Sequence, residues 1–280
     1  MQVLDYELKR KNESVYCLGD THEDSILQVS SKLNKVIKKI KEEEAPWLHM
    51  GDWINGIMTN DPKYYEGHNK CTLPREQEKH AVKRFEGIGK QGIVGLQGNH
   101  DRWLHRYGDI AQNICDAIAM PYGTFSSHIT FRYKGKVCFR LFVHHSLWQF
   151  NTNAKSMKQQ EGNIQESIKM KLREKVGDCA VMLCANAHLL KVIDPDNRLY
   201  LYVQGTKLQE NYTQDRKIDY TARYIHPDDR WYGCTGSFEK LYGDGISAYA
   251  EFAGCNPREL GYIKLNIVDG KPFNLEAVTV

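Results

Sequence analysis

Three short apolar segments of this chain are each followed, directly or after one residue, by a glycine and then by aspartate or asparagine. They cover residues 15–18, 47–50 and 92–96, and longer polar or mixed stretches separate them. Short apolar runs bounded by such polar turns are typical of buried strands. The sequence therefore predicts three strands, each of which ends in a polar loop.

The connecting segments have the pattern of amphipathic helices. Between residues 26 and 40, apolar residues recur at helical spacing, with lysines and glutamates on the opposite face. Asp24 or Ser25 is the expected N-cap of this helix, and Pro46 closes it. A second helix is predicted over 74–87. The order strand–helix–strand–helix–strand predicts parallel strands that are joined by helical crossovers.

The side chains that follow these strands are candidate metal ligands. In open α/β sheets, ligands gather at the carboxyl ends of the strands, so we expect the three loops to converge at one edge. Carboxylates, imidazoles and amide oxygens suit Mn²⁺, Fe and Zn²⁺. Two such ions about 3.5–4 Å apart form a clamp for in-line attack on phosphorus. The candidates are Asp20, His22, Asp52, Asn99 and His100.

Each candidate has a predicted role. Asp20 and His22 are two residues apart on one loop and would hold the first ion. Asp52 follows a neighbouring strand and would bridge the two ions, and Asn99 would offer its amide oxygen to the second. His100 is adjacent to Asn99 but points differently, which leaves it free to donate a proton. Histidines from later strands would complete both ligand sets as neutral imidazoles.

The second half of the chain predicts a further sheet. The expected elements are a hairpin over 129–143 with a turn at Gly135, a polar helix over 156–175, and strands at 180–184, 199–203, 247–252 and 261–267. A single domain over 1–280 is predicted, with two sheets and the helices outside them. Its motif-bearing core spans about 14–190, and the strands within about 199–280 complete the second sheet.

The composition is that of a folded, soluble protein. Hydrophobic residues make up 41% of the chain, charged residues 26%, and the net charge is +3, so nucleic-acid binding is neither implied nor excluded. The eight cysteines form no C-x-x-C pair, and the chain opens without a secretory signal pattern. No apolar stretch approaches the roughly 18 residues of a membrane helix. We predict a cytoplasmic protein with reduced cysteines that does not enter a membrane.

The ordered motifs resemble those of the calcineurin-like metallophosphoesterase superfamily. The series reads Gly-Asp-x-His, Gly-Asp-x-x-Asn, Gly-Asn-His-Asp, a histidine after a strand, and finally x-x-x-His. The resemblance implies a two-sheet, four-layer α/β/β/α sandwich with a dinuclear metal site at the C-terminal edge of its strands. It implies the same roles for the five candidate residues. Residues 233–251 look like phage- or prophage-type members of that family.

Two motifs depart from the family pattern. The usual Gly-His-x-His reads Ala-Asn-Ala-His here, so His188 matches the second histidine and Asn186 stands in place of the first. An amide oxygen is a harder and weaker ligand than imidazole, so the second ion would be held loosely, or would be Mn²⁺ or Mg²⁺ rather than Zn²⁺. The usual His-Gly reads His144-His145-Ser146. Either histidine is a candidate ligand, with His145 preferred because Ser146 best replaces the small glycine.

The predicted activity is hydrolysis of phosphoric esters, with a metal-bridging hydroxide that attacks phosphorus in line. His100 would protonate the leaving oxygen, oriented by Asp101 or Asp52. Protein phosphatases of the superfamily look like Gly-Asp-x-x-Asp-Arg-Gly and Gly-Asn-His-Glu. This chain lacks the arginine and carries Asp101 in place of glutamate, which favours phosphodiesters of nucleotide or nucleic-acid type.

The expected cofactors are two divalent metal ions, Mn²⁺ first, with Fe, Zn²⁺, Ni²⁺ or Mg²⁺ as alternatives. The expected partner is a phosphoester substrate, of nucleotide or nucleic-acid type. Two other functions stay open. One is a phosphomonoesterase, and the other is a non-catalytic binding module with a degenerate metal site, which Asn186 would explain.

Overall fold

The computed structural model describes residues 1–61, 64, 67, 69–150, 152–246 and 248–280. In chain order its strands are β1 Gln2–Glu7, β2 Glu13–Leu18, β3 Trp47–His49, β4 Gly92–Gly95, β5 Ser126–Tyr133, β6 Lys136–His145, β7 Val181–Ala185, β8 Lys191–Ile193, β9 Leu199–Gln204, β10 Lys207–Tyr212, β11 Trp231–Cys234, β12 Gly261–Val268 and β13 Lys271–Thr279. Its α-helices are α1 Ser30–Glu43, α2 Pro74–Phe85, α3 Asn99–Trp103, α4 Ile110–Ala117, α5 Met157–Arg173 and α6 Tyr249–Phe252.

Two sheets form the centre of the fold. The first has five strands in the order β13–β12–β2–β3–β4, and the second has six in the order β1–β5–β6–β7–β11–β8. Strands β2, β3 and β4 pair in parallel, and the predicted helices α1 and α2 connect them. The predicted strand–helix–strand–helix–strand unit is confirmed.

The three hydrophobic clusters show how the layers stack. One cluster fills the space between the sheets, with Val15 and Leu265 from the first sheet and Phe139 and Val143 from the second. Another lies between the outer face of the five-stranded sheet and α1, α2 and α4. The third packs α5 on the outer face of the six-stranded sheet. This is the predicted α/β/β/α fold class.

Strands that are covered on both faces bury apolar side chains in both directions. In β2, Tyr16 and Leu18 face the helices while Val15 and Cys17 face the other sheet. Each large apolar side chain that is removed from water in this way stabilises the fold by about 1.5–3 kcal/mol. The two-sided burial explains why these segments are continuously apolar rather than alternating.

The first helix begins later than predicted. It starts at Ser30 with Val29 as its N-cap residue, so the expected caps Asp24 and Ser25 lie in the preceding loop. The loop stays irregular because hydrogen bonds hold it to the loop after β3, and Ile26, expected on the apolar helix face, is 39% exposed. The predicted helix was wrong over its first turn.

The C-terminal part also differs from the prediction. β9 and β10 pair only with each other in the described structure, as a separate hairpin, instead of completing the second sheet. β11 joins the six-stranded sheet, and β12 and β13 extend the five-stranded one. A short helix occupies Tyr249–Phe252 within the predicted strand 247–252, and residue 247 lies outside the described residues.

All eight cysteines are free thiols, and five of them are buried. Burial raises the pKa of the Cys17 and Cys115 thiols above the usual range. A protonated, buried thiol behaves as a small apolar side chain. Within the described parts of the chain, no helix combines the length and the apolar composition that a bilayer crossing needs.

Candidate metal centre

The carboxyl ends of strands from both sheets meet at one edge of the molecule. Strands β2 and β3 lead into the loops that carry Asp20 and Asp52, and β4 leads into a short turn that ends at Asn99, the first residue of α3. Strands β6 and β7 run in parallel, so their last residues, His145 and Ala185, are register partners at the same edge. Residues that are far apart in sequence are therefore adjacent in space.

Backbone hydrogen bonds join the first two loops. The Asp20 N–H donates to the Gly51 carbonyl at 3.0 Å, and the N–H groups of Thr21 and His22 donate to the Asp52 carbonyl at 3.0 and 3.1 Å. Asp20, His22 and Asp52 all have left-handed backbones, with φ of 49°, 44° and 55°. For residues other than glycine this conformation costs about 1–2 kcal/mol each. Such strain persists where the surrounding structure fixes the backbone, and it concentrates at functional sites.

Two glycines allow the loops to approach closely. Gly51 has a φ of +96°, and a Cβ there would lie 2.5 Å from His145 Nδ1. A Cβ on Gly98 would collide with the Asp52 backbone nitrogen and carboxylate. The glycines that precede the candidate ligands in sequence are thus required by the packing of the site.

The first group of ligand atoms comes from Asp20, His22 and His188, all of which lie within 4.8 Å of one another. His22 Nε2 is 3.1 Å from His188 Nε2, and His188 Nε2 is 4.0 Å from Asp20 Oδ1. Two imidazole nitrogens this close repel unless a proton or a cation lies between them. Asp20 and His22 are buried, and His188 is 15% exposed.

The second group centres on His145. Its Nδ1 donates to the Met50 carbonyl at 2.7 Å, which leaves Nε2 with a free lone pair, 2.9 Å from Asn99 Oδ1. The same Nε2 is 3.5 Å from Asp52 Oδ2. Asp20, Asp52 and His145 form a second set whose ligand atoms lie within 4.8 Å of one another.

Asp52 lies between the two groups. Its Oδ2 is 3.8 Å from His22 Nε2 on one side and 3.5 Å from His145 Nε2 on the other. Its Oδ1 accepts a hydrogen bond from the His100 backbone N–H at 2.9 Å. Oδ2 is thus the Asp52 atom that faces both groups. The bridging role that the sequence predicts for this residue stays a prediction.

Unsatisfied polar atoms test whether the site suits cations. Asp20 Oδ1 and Asp52 Oδ2 are buried and have no hydrogen-bond partner. Buried carboxylate oxygens without partners are costly, and a bound cation removes that cost. Oxygen and imidazole donors around the same small space are a ligand set for divalent metals. The residues present therefore fit a pair of divalent cations.

The electrostatics of the histidines agree with this. Burial lowers the pKa of His22, His145 and His188, and for His188 the pKa falls to about 4. The three imidazoles are therefore neutral near pH 7, the form that binds metals. Burial and the neighbouring Asp52 carboxylate raise the pKa of Asp20, as expected for carboxylates that are crowded together without a cation.

His144 does not lie at the centre, so its candidacy as a ligand is wrong. Side chains alternate along β6, and the His144 ring points to the outer face, 5.1 Å from the Trp148 ring and 6.1 Å from the Phe142 ring. His145 points into the space between the sheets. His145 is therefore the candidate of the two that lies beside Asp20 and Asp52, and its role as a ligand stays a prediction.

The adjacent histidines give a matched pair of variants. We expect His145→Gln to weaken binding of one of two Mn²⁺ ions by at least about 10-fold, because even partners outside the ligand set change metal affinity 10–100-fold. His144→Gln should bind Mn²⁺ as the unsubstituted protein does. Titration with Mn²⁺ monitored by electron paramagnetic resonance measures both. Equal affinities for the two variants would remove His145 from the ligand set.

Asn186 contacts the centre through its backbone. Its N–H donates to Asp20 Oδ2 at 3.1 Å, and its φ of 84° is left-handed. This hydrogen bond orients the Asp20 carboxylate so that Oδ1 faces the ligand cluster. The role predicted for Asn186, an amide-oxygen ligand of the second ion, stays a prediction.

His100 is oriented by a carbonyl rather than by a carboxylate. Its Nδ1 donates to the Asn55 backbone carbonyl, which holds the ring edge-on to His22 at a centroid distance of 4.6 Å. With Nδ1 occupied by a donated hydrogen bond, Nε2 is the atom available to exchange a proton. The prediction that Asp101 or Asp52 orients this ring was wrong. The ring nevertheless shares a candidate ligand group with His22 and Asp52.

Asp101 has a different partner set from the predicted one. Its fully buried carboxylate accepts backbone hydrogen bonds from Asp52, Trp53 and Gly98 at 2.8–3.1 Å. One carboxylate thus fixes the loop after β3 to the loop after β4. Through these contacts Asp101 positions the backbone of Asp52. Its predicted catalytic role stays a prediction.

The carboxylate of Asp101 should matter for stability. Asp101→Asn replaces one acceptor oxygen by an amide that cannot accept these N–H groups. We expect the free energy of unfolding in urea to fall by about 2–3 kcal/mol, because hydrogen bonds to a charged acceptor contribute about 1.5–3 kcal/mol. Asp116→Asn, on the exposed face of α4, is the control and should change stability by less than about 0.5 kcal/mol. Equal stabilities would contradict the positioning role.

One acidic residue at the centre belongs to none of the predicted motifs. Glu239 follows β11, and its Oε2 is 3.8 Å from His22 Nε2. Burial and the Asp52 charge raise its pKa to about 7, opposed by a hydrogen bond from Ser25. In the sequence it follows the pair Gly236-Ser237, which resembles many ordinary turns.

A cavity of about 150 Å³ opens beside the second ligand group. Asn99, His145 and Arg102 contribute polar groups to its lining. Its apolar wall contains Trp103, Phe125 and Leu147. A phosphate at the metal ligands would place an attached group in this cavity, against the apolar wall.

Comparison with known proteins shows only a distant similarity to solved structures. The chain matches no protein-family model and no curated protein. It is similar to the solved structure of YfcE, a phosphoesterase from E. coli, with 13% identity, a TM-score of 0.41 and coverage of 95% of this chain and 100% of the other. It is also similar to the calcineurin-like phosphoesterase YfkN from Bacillus subtilis, with 12% identity, a TM-score of 0.38 and coverage of 96% and 88%.

A hypothetical protein from Thermus thermophilus has 10% identity and a TM-score of 0.45, with coverage of 95% of this chain and 98% of the other. Two of these three structures are phosphoesterases. The identities and TM-scores are too low for these structures to indicate the function of this chain.

Proposed function

We propose that this chain is a metal-dependent phosphoesterase of the calcineurin-like superfamily. The observation that carries the proposal is the position of Asp52 Oδ2, unpartnered and buried between two groups of ligand atoms. Asp20, His22 and His188 would hold one cation with Asp52. Asn99 and His145 would hold the other, with Asp52 shared.

The residues around this centre have roles in positioning the ligand groups, donating a proton and binding the phosphate. When bound, two divalent cations supply a nucleophilic water and neutralise charge on the phosphate oxygens. Asp52 and Asn99 fix the relative positions of the two ligand groups. His100, with Nδ1 held by the Asn55 carbonyl, presents Nε2 to protonate the leaving oxygen. Arg102, which lines the adjacent cavity, offers a guanidinium that suits a phosphate oxygen.

We propose phosphodiesters, of nucleotide or nucleic-acid type, as the substrate class. The cavity beside Asn99 and His145 has an apolar wall with two aromatic rings, Trp103 and Phe125, next to the Arg102 guanidinium. Aromatic and guanidinium surfaces both stack on nucleobases. A phosphodiester has a second ester group to place there, whereas a simple phosphate monoester has only one.

Paired chromogenic substrates test this ranking. With Mn²⁺ present, we expect kcat/KM for bis-p-nitrophenyl phosphate to exceed that for p-nitrophenyl phosphate, and EDTA to abolish both activities. A strong preference for the monoester would favour a phosphomonoesterase. Absence of turnover from protein that is shown to bind two ions would favour the non-catalytic binding module.

Several finer features of the protein are also proposals. Mn²⁺ is the metal that we propose, because Asn99 and the carboxylates give the centre more oxygen donors than Zn²⁺ sites usually have. A phage-type relationship, a cytoplasmic location and a single domain over 1–280 stay predictions from the sequence. Metal analysis of protein purified without added metal tests the proposal of Mn²⁺.

A further inference from the structure

The segment that follows β11 is fixed to the first metal-binding loop. Ser237 Oγ and the Phe238 N–H both donate to the Asp20 carbonyl, at 2.9 and 3.1 Å. The Val29 N–H donates in turn to the Phe238 carbonyl at 2.9 Å. β11 runs parallel to β7, so this segment leaves the sheet at the same edge as the other loops. The backbone of the next residue, Glu239, is therefore held beside the centre.

The Glu239 side chain points at the first ligand group. Its Oε1 accepts a hydrogen bond from the Ser25 hydroxyl, and its Oε2 is 3.8 Å from His22 Nε2. The same His22 nitrogen lies 3.1 Å from His188 Nε2 and 3.8 Å from Asp52 Oδ2. Three candidate ligand atoms from different parts of the chain thus surround one imidazole nitrogen.

The Glu239 carboxylate has no lysine or arginine as a partner among the described residues. The carboxylate is 13% exposed, and among the described residues no lysine or arginine lies within 4 Å of it. Glu23, a buried carboxylate on the adjacent loop, shows the usual solution, since Arg84 pairs with it at 2.6 Å. Buried carboxylates are normally paired with a cationic side chain or bound to a metal. For Glu239, binding to a metal ion is the arrangement that the neighbouring ligand atoms allow.

We propose that Glu239 is an additional ligand of the cation held by Asp20, His22, Asp52 and His188, through Oε2. This inference rests on the proposed metal centre and concerns one residue that the family motifs do not include. Four ligands already complete the tetrahedral set that Zn²⁺ prefers. A further carboxylate adds a hard oxygen donor and raises the coordination number, which favours Mn²⁺ or Mg²⁺ over Zn²⁺. Glu239 would therefore set the metal preference of the centre.

Metal affinity, measured without substrate, tests this assignment. Glu239→Gln keeps an oxygen that can accept the Ser25 hydrogen bond and removes the charge. We expect it to weaken binding of one Mn²⁺ ion by at least about 10-fold, because even partners outside the ligand set change metal affinity 10–100-fold. Zn²⁺ binding should weaken by a smaller factor. Mn²⁺ titration by electron paramagnetic resonance and competition with Zn²⁺ give both values. Glu259→Gln removes the same charge from an exposed position and is the control.

The outcomes separate this inference from the proposed function. If the unsubstituted protein binds no Mn²⁺, the metal centre itself is wrong. If it binds two ions and Glu239→Gln binds them with unchanged affinity and selectivity, only the assignment of Glu239 is overturned. An equal loss of Mn²⁺ and Zn²⁺ affinity would make Glu239 a positioning residue instead of a ligand. Should the Gln variant not fold, Glu239→Asp keeps the charge on a shorter side chain, and unchanged affinity in that variant would also contradict the proposal.

Discussion

Asp52→Asn is expected to lower kcat/KM for phosphoester hydrolysis by about 10³-fold or more. The Oδ2 atom is the one that faces both ligand groups, and it is buried without a hydrogen-bond partner. Asparagine retains an acceptor for the His100 N–H but replaces the shared negative charge by a neutral amide. Loss of one preorganised electrostatic element in an active site costs about 10²–10³-fold, and Asp52 serves two cations.

The same substitution should change metal binding. We expect the number of tightly bound Mn²⁺ ions per chain to fall below two, measured by equilibrium dialysis against a fixed free Mn²⁺ concentration. Asp116→Asn, which removes an equal charge from the surface of α4, should bind two ions and retain full activity. Two tightly bound ions and undiminished turnover in Asp52→Asn would contradict the bridging role.

His100→Gln should give the second-largest loss, and its size should depend on the leaving group. General acid catalysis contributes about 10²–10⁴-fold, so we expect kcat to fall by about 10³-fold for an ester with an alkyl leaving group. For p-nitrophenyl esters the fall should be much smaller, because p-nitrophenolate leaves without protonation. The measurement is kcat for both ester types in the variant and in the unsubstituted protein.

A nearby histidine provides the control for this experiment. His105 lies five residues further along the chain and is exposed, with its Nδ1 hydrogen-bonded to the Arg102 carbonyl at 3.1 Å. His105→Gln should leave kcat unchanged for both esters. An equal loss for the two leaving groups in His100→Gln would show that this residue binds or positions and does not donate the proton.

Much of the fold follows from local features of the sequence. The apolar segments are strands because they are buried on both faces, and the polar residues after Gly51 and Gly98 must then lie at the carboxyl edge of the sheet. The helical spacing before Ile40 predicts α1 correctly except for its start. The start could not be predicted because hydrogen bonds from a distant loop, and not the cap residues, decide the conformation of residues 20–29.

Other parts of the centre depend on contacts that a sequence does not display. His144 and His145 cannot be told apart by pattern, because β6 has apolar residues on both faces, Phe142 on one and Val143 on the other. Glu239 lies 219 positions after Asp20, and only the pairing of β11 with β7 brings it to the edge.

Anomalous diffraction from crystals grown with Mn²⁺ tests the central claim most directly. Data collected at the manganese absorption edge should show two anomalous peaks at the carboxyl ends of the strands, with Asp52 coordinated to both. Asp20, His22 and His188 should surround one peak, and Asn99 and His145 the other. A single peak, or two peaks that do not share Asp52, would contradict the dinuclear centre on which the proposed activity depends.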